Sequence, residues 1–467
     1  MNYYLLGIKG AAMANIAVML KQQGHSVNGV DVAEVFPTDT VLLANDIKFE
    51  VFPVPSVPPS TDIIVYSAAH GGLNHPLVQD AQTKKKKILH QAELLGELLT
   101  HFRHSIAVAG CHGKTTTSSL LSYALIQLGQ KPSYMVGTPS FSGHPGSAFA
   151  DNKYFVIEAD EYGLNPPDNA KPKFHFLKPN YGIILNIDFD HPDVFKDLNE
   201  TKAAFKIFME DIVGKNSQAP LVLCADDAPL MDVAKAFNRA EYSTFGLSAD
   251  ADFQVSNISY HENVTQFELH TKEKNLGLFS TKLAGEKNAT NTAGVIALLL
   301  KLGFTPGEIQ TAIADFSGAK RRFELIGEKN GIKIYDDYAH HPHELEAVIE
   351  GTKHRFPGKR LIVIFQPHTF TRTEMLQNEF IEALAKADGS ILVPIFASAR
   401  ENVSNTTITS SDLASLAEKQ GYTHIFATES TEETLELLKD TVKSGDIILL
   451  AGAGDVYKLK DEIMNAV

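Results

Sequence analysis

The chain has 467 residues, 44% of them hydrophobic and 21% charged, enough for about two to four ordinary globular domains. Its net charge of −14 excludes a protein that coats nucleic acid through bulk charge, but not one that binds anions at a few placed cations. Two cysteines, Cys111 and Cys224, exclude a disulfide framework and a zinc site and fit a reducing, cytoplasmic setting, and no run of about 18 apolar residues offers a membrane span. The first residues, MNYYLLGIKGAAM, read as a strand and a turn, so no signal peptide is expected. YYLLGI is followed by Gly7 and Gly10, then by AAMANIAVMLKQQG with helical apolar spacing, then by the strand HSVNGVD ending in Asp31. This strand–glycine turn–helix–strand unit opens a doubly wound parallel sheet, with a further strand, DIIVYS, ending at Ser67. Such a turn either binds a nucleotide or is purely structural. Lys9 and Ala12 stand where a dinucleotide fingerprint would carry glycine. The basic run Lys84–Lys87 reads as a solvated helix end in preference to a nucleic-acid patch.

A second segment begins near Ser105. IAVAG is a buried strand, and CHGKTTTSSLLSYALIQLG is a loop running into a helix. YFVIEAD, GIILNID and PLVLCAD are apolar runs ending in acids, the pattern of central parallel strands with a site at their ends. DFQVSNISY, VTQFELHT and LGLFSTKL alternate as a small antiparallel sheet does, and LAGEKNATNTAGVIALLLKLG follows as a helix. A third α/β segment starts around Gly318, with strands IKIYDDY, RLIVIFQP, GSILVPIF and DIILLAGAG separated by helical patterns such as HELEAVIEGTKHRF. The expected domains are 1–98, 99–317 and 318–467. The first and third are Rossmann-like, and the second is a P-loop domain carrying the small antiparallel sheet.

The sharpest motif is Gly110-Cys111-His112-Gly113-Lys114-Thr115, between a strand and a helix. Glycines let backbone amides turn to phosphates, Lys114 supplies a point charge, and the Thr115 hydroxyl can ligate magnesium. The loop has two residues between its glycines where the common P-loop has four. Cys111 is either a reactive thiol or simply a small residue beside the phosphate amides. Glu158, Asp160 and Glu161 end the strand YFVI and can hold a metal opposite the loop, or are a solvated strand end. Asp188, Asp190 and His191 end the next strand, where imidazole and carboxylate suit a second divalent ion.

The strings GCHGKTTT, EADEY, NIDFDHPD, GEKNATN, GAKRRFE and DDYAHHP, spread over nearly the whole chain, resemble the Mur ligase family. That resemblance implies three domains. The first binds the UDP of a sugar substrate through Gly7, Gly10, Met13, Asp31 and Ser67. The second binds ATP through Gly110, Cys111, His112, Gly113, Lys114, Thr115 and Thr116, with Asn288 and Asn291 near adenine and ribose. Thr115, Glu158 and His191 are the implied magnesium ligands, for two ions. Arg322 approaches the γ-phosphate, Asp337 contacts the ATP ribose, and His341, His368 and Arg372 place the amino acid. Lys114, His191 and Arg322 are the implied catalytic residues. Lys287 replaces a histidine usual in the asparagine motif, and Lys206 has the offset of a lysine that some members carbamylate to bridge the metals.

The implied chemistry is phosphorylation of a carboxylate by ATP, then attack by an amine through a tetrahedral intermediate, with the domains closing on ATP. FQPHTFTRT, PIFASARE and AGAGDVYKL are most similar to the member that adds L-alanine to UDP-N-acetylmuramate. EADEYGLNPPDNAKPKFHFLKPN and GIKGAAM lean to the member that attaches a whole tripeptide in cell-wall recycling. Readings of other classes are a nicotinamide-dependent oxidoreductase, which leaves the P-loop unexplained, and a nucleotide-binding regulatory protein without ligase activity. The combination of Lys114, Glu158, His191 and Arg322 speaks against the second. No nucleic-acid partner and no membrane insertion are expected.

Overall fold

The computed structural model describes residues 1–165, 169–191, 194–215, 220–261, 264–397 and 408–467. The N-terminal sheet has five strands in the order Lys48–Val51, Ser26–Asp31, Asn2–Leu6, Ile63–Tyr66, Lys87–His90, every pair parallel. The order reverses beside Asn2–Leu6, so the crevice of this doubly wound sheet opens at its carboxyl end, over Gly7. Helix Ala11–Gln22 starts there, with Gly10 at its N-cap and Met13, Ile16, Ala17 and Leu20 buried. Tyr4, Leu6, Val30, Ile64 and Leu77 pack into one core.

The central sheet has ten strands. Its parallel middle runs Tyr242–Gly246, Leu221–Cys224, Tyr181–Ile184, His104–Ala109, Tyr154–Ala159, Ser133–Phe141. Strands buried on both faces read as unbroken apolar runs, which is why IAVA, YFVI and LVLC were visible as strands in the sequence. One edge is closed by His144–Ala148, antiparallel to Ser133–Phe141. At the other edge come the three alternating strands, Phe253–His261, Val264–His270 and Asn275–Thr281. They continue the central sheet, because Phe253 and Gln254 pair in parallel register with Phe245 and Gly246.

The C-terminal sheet has six strands in the order Glu324–Lys329, Ile332–Asp337, Ile447–Ala451, Leu361–Phe365, Gly389–Leu392, Ile425–Ala427, parallel except for the first pair. Its two faces carry separate apolar cores, one built on Val363, Phe365 and Leu449, the other on Ile334, Ile364 and Leu450, as strict alternation in a doubly covered sheet requires.

Two compact units emerge. The first is Met1–Ser256, Glu268–Phe279 and Thr290–Phe316; the second is Asn257–Phe267, Ser280–Ala289 and Ser317–Val467. Among the described residues no helix is long and apolar enough to cross a membrane. Parts of three sequence motifs, Pro166–Asp168, Pro192–Asp193 and Ser398–Glu401, lie outside the described residues.

Candidate functional site

Strand His104–Ala109 delivers the chain to the loop at the carboxyl end of the central sheet, and helix Lys114–Gln127 carries it away. The helix is buried on most of its faces, and its small polar residues make that possible. Ser118 and Ser122 turn their hydroxyls onto Thr115 O at 3.2 Å and Ser118 O at 2.8 Å, leaving little side chain to pack. Gly113 caps it at φ +83°, and a Cβ there would meet Asn291 Nδ2 at 2.7 Å. Only glycine combines that conformation with that approach. Thus Asn291, from helix Glu286–Lys301, lies against the loop. Asn288 instead bonds its own helix start, donating to Ala284 O at 2.7 Å.

Asn186, which the sequence reading did not single out, clips the loop from the neighbouring strand end. Its Oδ1 accepts from His112 N at 2.9 Å, and its Nδ2 donates to His112 O at 3.0 Å. His112 Nε2 lies 2.9 Å from Asp188 Oδ2. The Cys111 thiol donates to Asp188 O at 3.3 Å and accepts from Asp188 N at 3.2 Å. Burial, then the Glu161 charge, push this thiol well above its ordinary pKa, so the structure favours the small-residue reading over a reactive thiolate. Thr116 is half-buried behind it.

The acids divide into two groups. Glu158 accepts from Thr115 Oγ1 at 3.1 Å, from Ser118 Oγ at 3.1 Å and from Gly137 N. Glu161 takes the cations: Lys114 Nζ donates to its Oε2 at 2.7 Å, and His191 Nε2 lies 3.3 Å from its Oε1. Of the three implied magnesium ligands, Thr115 and Glu158 therefore meet directly, while His191 contacts Glu161 and, at 3.6 Å, Asp190. Lys114 also donates to Gly110 O at 2.7 Å and Cys111 O at 3.4 Å. Burial works against both charges, yet Glu161 and Asp160 hold the lysine above its ordinary pKa, and Lys114 and His191 hold the carboxyl below its own. Lys206 is 47% exposed and pairs with Glu210 at 3.6 Å, so its offset alone does not make it a metal bridge.

In the N-terminal turn, Gly7 has φ +79° and His70 Cδ2 would lie 3.3 Å from a Cβ on it. Asp31 accepts from Lys9 N at 2.7 Å and Val32 N at 2.8 Å, and His70 Nε2 sits 3.1 Å from its Oδ1. Ser67 accepts from Ala69 N at 3.3 Å, and Met13 is buried beneath. Lys9 itself turns away. Its ammonium bonds Glu34 O at 2.8 Å and pairs with Asp39 at 3.1 Å, which explains how a lysine fits where glycine is usual. His70, a histidine in the glycine-rich segment after DIIVYS, also went unread in the sequence.

In the C-terminal unit, Asp337 ends a central strand and accepts from Phe323 N at 2.7 Å and Ala339 N at 2.8 Å. Burial raises it to about 6, against the lowering effect of Arg322. The Arg322 guanidinium stands 5.1 Å over the Tyr338 ring. His341 caps helix Pro342–Arg355, His368 stacks on Phe396 at 5.5 Å, and Arg372 is buried in the short helix Phe370–Met375.

A phosphate loop at the end of a central parallel strand, in a chain that also carries an N-terminal and a C-terminal parallel α/β sheet, defines a three-domain α/β protein built to handle nucleotides. Three profiles match in chain order: "Mur ligase family, catalytic domain" over residues 2–103, "Mur ligase middle domain" over 108–299, and "Mur ligase, glutamate ligase domain" over 321–454. The chain belongs to the Mur ligase family. It is 37% identical to a UDP-N-acetylmuramate–L-alanine ligase of Desulfitobacterium hafniense over 99% of both chains, and 32% identical to one of Caldanaerobacter subterraneus over 99% of this chain and 96% of that one. Its fold is that of the UDP-N-acetylmuramate-alanine ligase of Thermotoga maritima, with TM-score 0.79 and 22% identity over 100% of this chain and 98% of that one. The murein peptide ligase of Psychrobacter arcticus is similar as well, with TM-score 0.70 and 23% identity over the same shares.

Proposed function

We propose that this chain uses ATP to join L-alanine to the muramate carboxyl of UDP-N-acetylmuramate, a step of peptidoglycan precursor synthesis. What carries the reading is the loop Gly110–Thr115 with its lysine at the sheet's carboxyl end, in a chain that matches a ligase named for that reaction over 99% of its length. We assign 1–98 to the UDP-sugar, 99–317 to ATP and 318–467 to the amino acid and ATP. The reducing cytoplasm is the fitting compartment for a chain whose two cysteines form no disulfide.

Lys114 would leave its present partners for the triphosphate and, with Arg322, neutralise charge as the γ-phosphoryl moves to the muramate carboxylate. The acyl phosphate supplies a leaving group that a free carboxylate lacks. The amine of L-alanine attacks its carbonyl carbon, the tetrahedral intermediate collapses, and inorganic phosphate departs as the amide forms. Arg372 has the fork geometry to hold the alanine carboxylate, with His341 and His368 orienting the amine. Thr115, Glu158 and His191 are hard oxygen and imidazole donors that fit magnesium, and we propose two ions. Magnesium would neutralise phosphate charge and polarise the transferred group.

The tripeptide-adding reading is favoured by the strings EADEYGLNPPDNAKPKFHFLKPN and GIKGAAM and by the fold similarity to the Psychrobacter murein peptide ligase. Phosphate release with UDP-N-acetylmuramate, ATP and magnesium, offering L-alanine, L-serine, glycine or the tripeptide in turn, separates the two. Turnover with L-alanine is expected. Turnover with the tripeptide and none with any single amino acid would refute the L-alanine reading.

A further inference from the structure

Glu161 is 1% exposed, yet its two oxygens are treated differently. Oε2 is bonded by Lys114, while the buried Oε1 takes no regular hydrogen bond and has the His191 imidazole beside it, Nε2 at 3.3 Å. A buried carboxylate with an open lone-pair face is costly unless a cation answers it. Lys114 has three ammonium protons, and the structure gives all three acceptors within the protein: Gly110 O, Cys111 O and Glu161 Oε2. To reach a phosphate it must surrender at least one. Glu161 is the only charged group of the three. Once the lysine moves toward a triphosphate, Glu161 loses the positive charge that compensates it. His191, already at its other oxygen, then offers an imidazole nitrogen beside an uncompensated buried carboxylate, a donor pair suited to a small divalent cation.

We propose that Glu161 is a cation seat used in turn, by the Lys114 ammonium before nucleotide binds and by a divalent cation, together with His191, once Lys114 has moved to the triphosphate. The proposal rests on the ATP reading above. It adds Glu161 to the metal-binding residues and makes departure of the lysine and arrival of the ion one linked event. The linkage has a sign. Glu161 opposes nucleotide binding when no metal is present, because it competes for Lys114, and favours binding when metal is present, because it holds the ion. Glu158 lacks this double character, since Thr115, Ser118 and Gly137 already bond it.

The test is equilibrium binding of a non-hydrolysable ATP analogue to the full chain by calorimetry, in EDTA and in magnesium, for the wild type and Glu161→Gln. Manganese EPR on the same samples reads the bound ion directly. The glutamine keeps shape and hydrogen-bonding capacity but removes the charge. The expected result is metal-free binding equal to or tighter than wild type, with the affinity gain from magnesium reduced about ten-fold or more and weaker manganese binding. An unchanged magnesium gain would overturn the proposal, and so would equal weakening in EDTA and in magnesium, the mark of a merely structural residue. Glu161→Asp, which keeps the charge on a shorter arm, should retain part of the gain; a loss as large as that of Glu161→Gln also refutes it. Failure of the wild type to bind the analogue at all would overturn the ATP reading instead.

Discussion

Asp337 offers a quantitative test of the electrostatics in the C-terminal unit. Its carboxyl is raised from 3.8 to about 6, chiefly because it is buried, although two backbone amides and Arg322 favour the charged form. The folded protein therefore holds this proton more tightly than the unfolded chain does. The stability it contributes is complete below about pH 3.8 and is lost as pH rises through about 6. Linkage with those two values makes the charged side chain cost ~1.6 kcal/mol at about pH 5 and ~3 kcal/mol at about pH 8. Asp337→Asn removes that dependence. The net sign of the substitution at one pH is not the useful observable, because the amide presents an N–H to one of the two backbone donors, at a cost of about 1–3 kcal/mol. The difference between variant and wild type is the better observable. Urea denaturation of both proteins, followed by circular dichroism across that range, should show the asparagine variant gaining ~1.5 kcal/mol relative to wild type. A difference constant to about 0.5 kcal/mol, or one that runs the other way, would refute the reasoning.

Lys114→Met should lower ATP-dependent phosphate release by about 10²–10³ while leaving UDP-sugar binding near wild type. It also strands Glu161 in the interior, so the melting temperature should fall as for a broken buried ion pair, a loss of about 3–5 kcal/mol, and binding is best measured in the cold. Gly113→Ala places a Cβ 2.7 Å from Asn291 Nδ2 in a left-handed conformation, and should cost about 1–3 kcal/mol of stability and raise the ATP KM; a neutral effect on both would mean the loop has another resting shape. Lys9→Met leaves the half-buried Asp39 without its cation and should destabilise the chain by about 1–3 kcal/mol in thermal melts, with weaker UDP-sugar binding following from the loosened turn; an unchanged melt would contradict the pairing.

The fold was legible where physics writes it in a single period. Parallel strands such as Leu361–Phe365 and Ile447–Ala451 are buried along their whole length, so composition alone marks them, and helices such as Pro342–Arg355 show as helical patterns between strands. Sheet membership was not legible. Alternation identified Phe253–His261 as a strand, but only its parallel register with Tyr242–Gly246 makes it part of the central sheet, and register is a tertiary fact. The positive φ of Gly113 was foreseeable from the need for a glycine before the lysine. The role of Asn186 was not, because nothing local says that an asparagine after an apolar strand will face the backbone of a loop 74 residues earlier.

The site was harder to read than the fold for a physical reason. Spacing along one strand end distinguishes Glu158 from Glu161 only by direction, and the two carboxylates are three residues apart. One faces the hydroxyls of the helix after the loop, and the other faces the ammonium and the imidazole. The strand-end pattern by itself offered both as acids, and only the family resemblance singled out Glu158. Burial separates them: a carboxylate satisfied by neutral hydroxyls and an amide is already content in a low-dielectric setting, whereas one compensated by a lysine is content only while the lysine stays. A nucleotide that draws the lysine away therefore acts on Glu161 more than on Glu158, and the charge imbalance it creates lies at the oxygen facing His191. That asymmetry, more than the count of acids at the strand end, makes the magnesium dependence of nucleotide binding the measurement most sensitive to how this loop works.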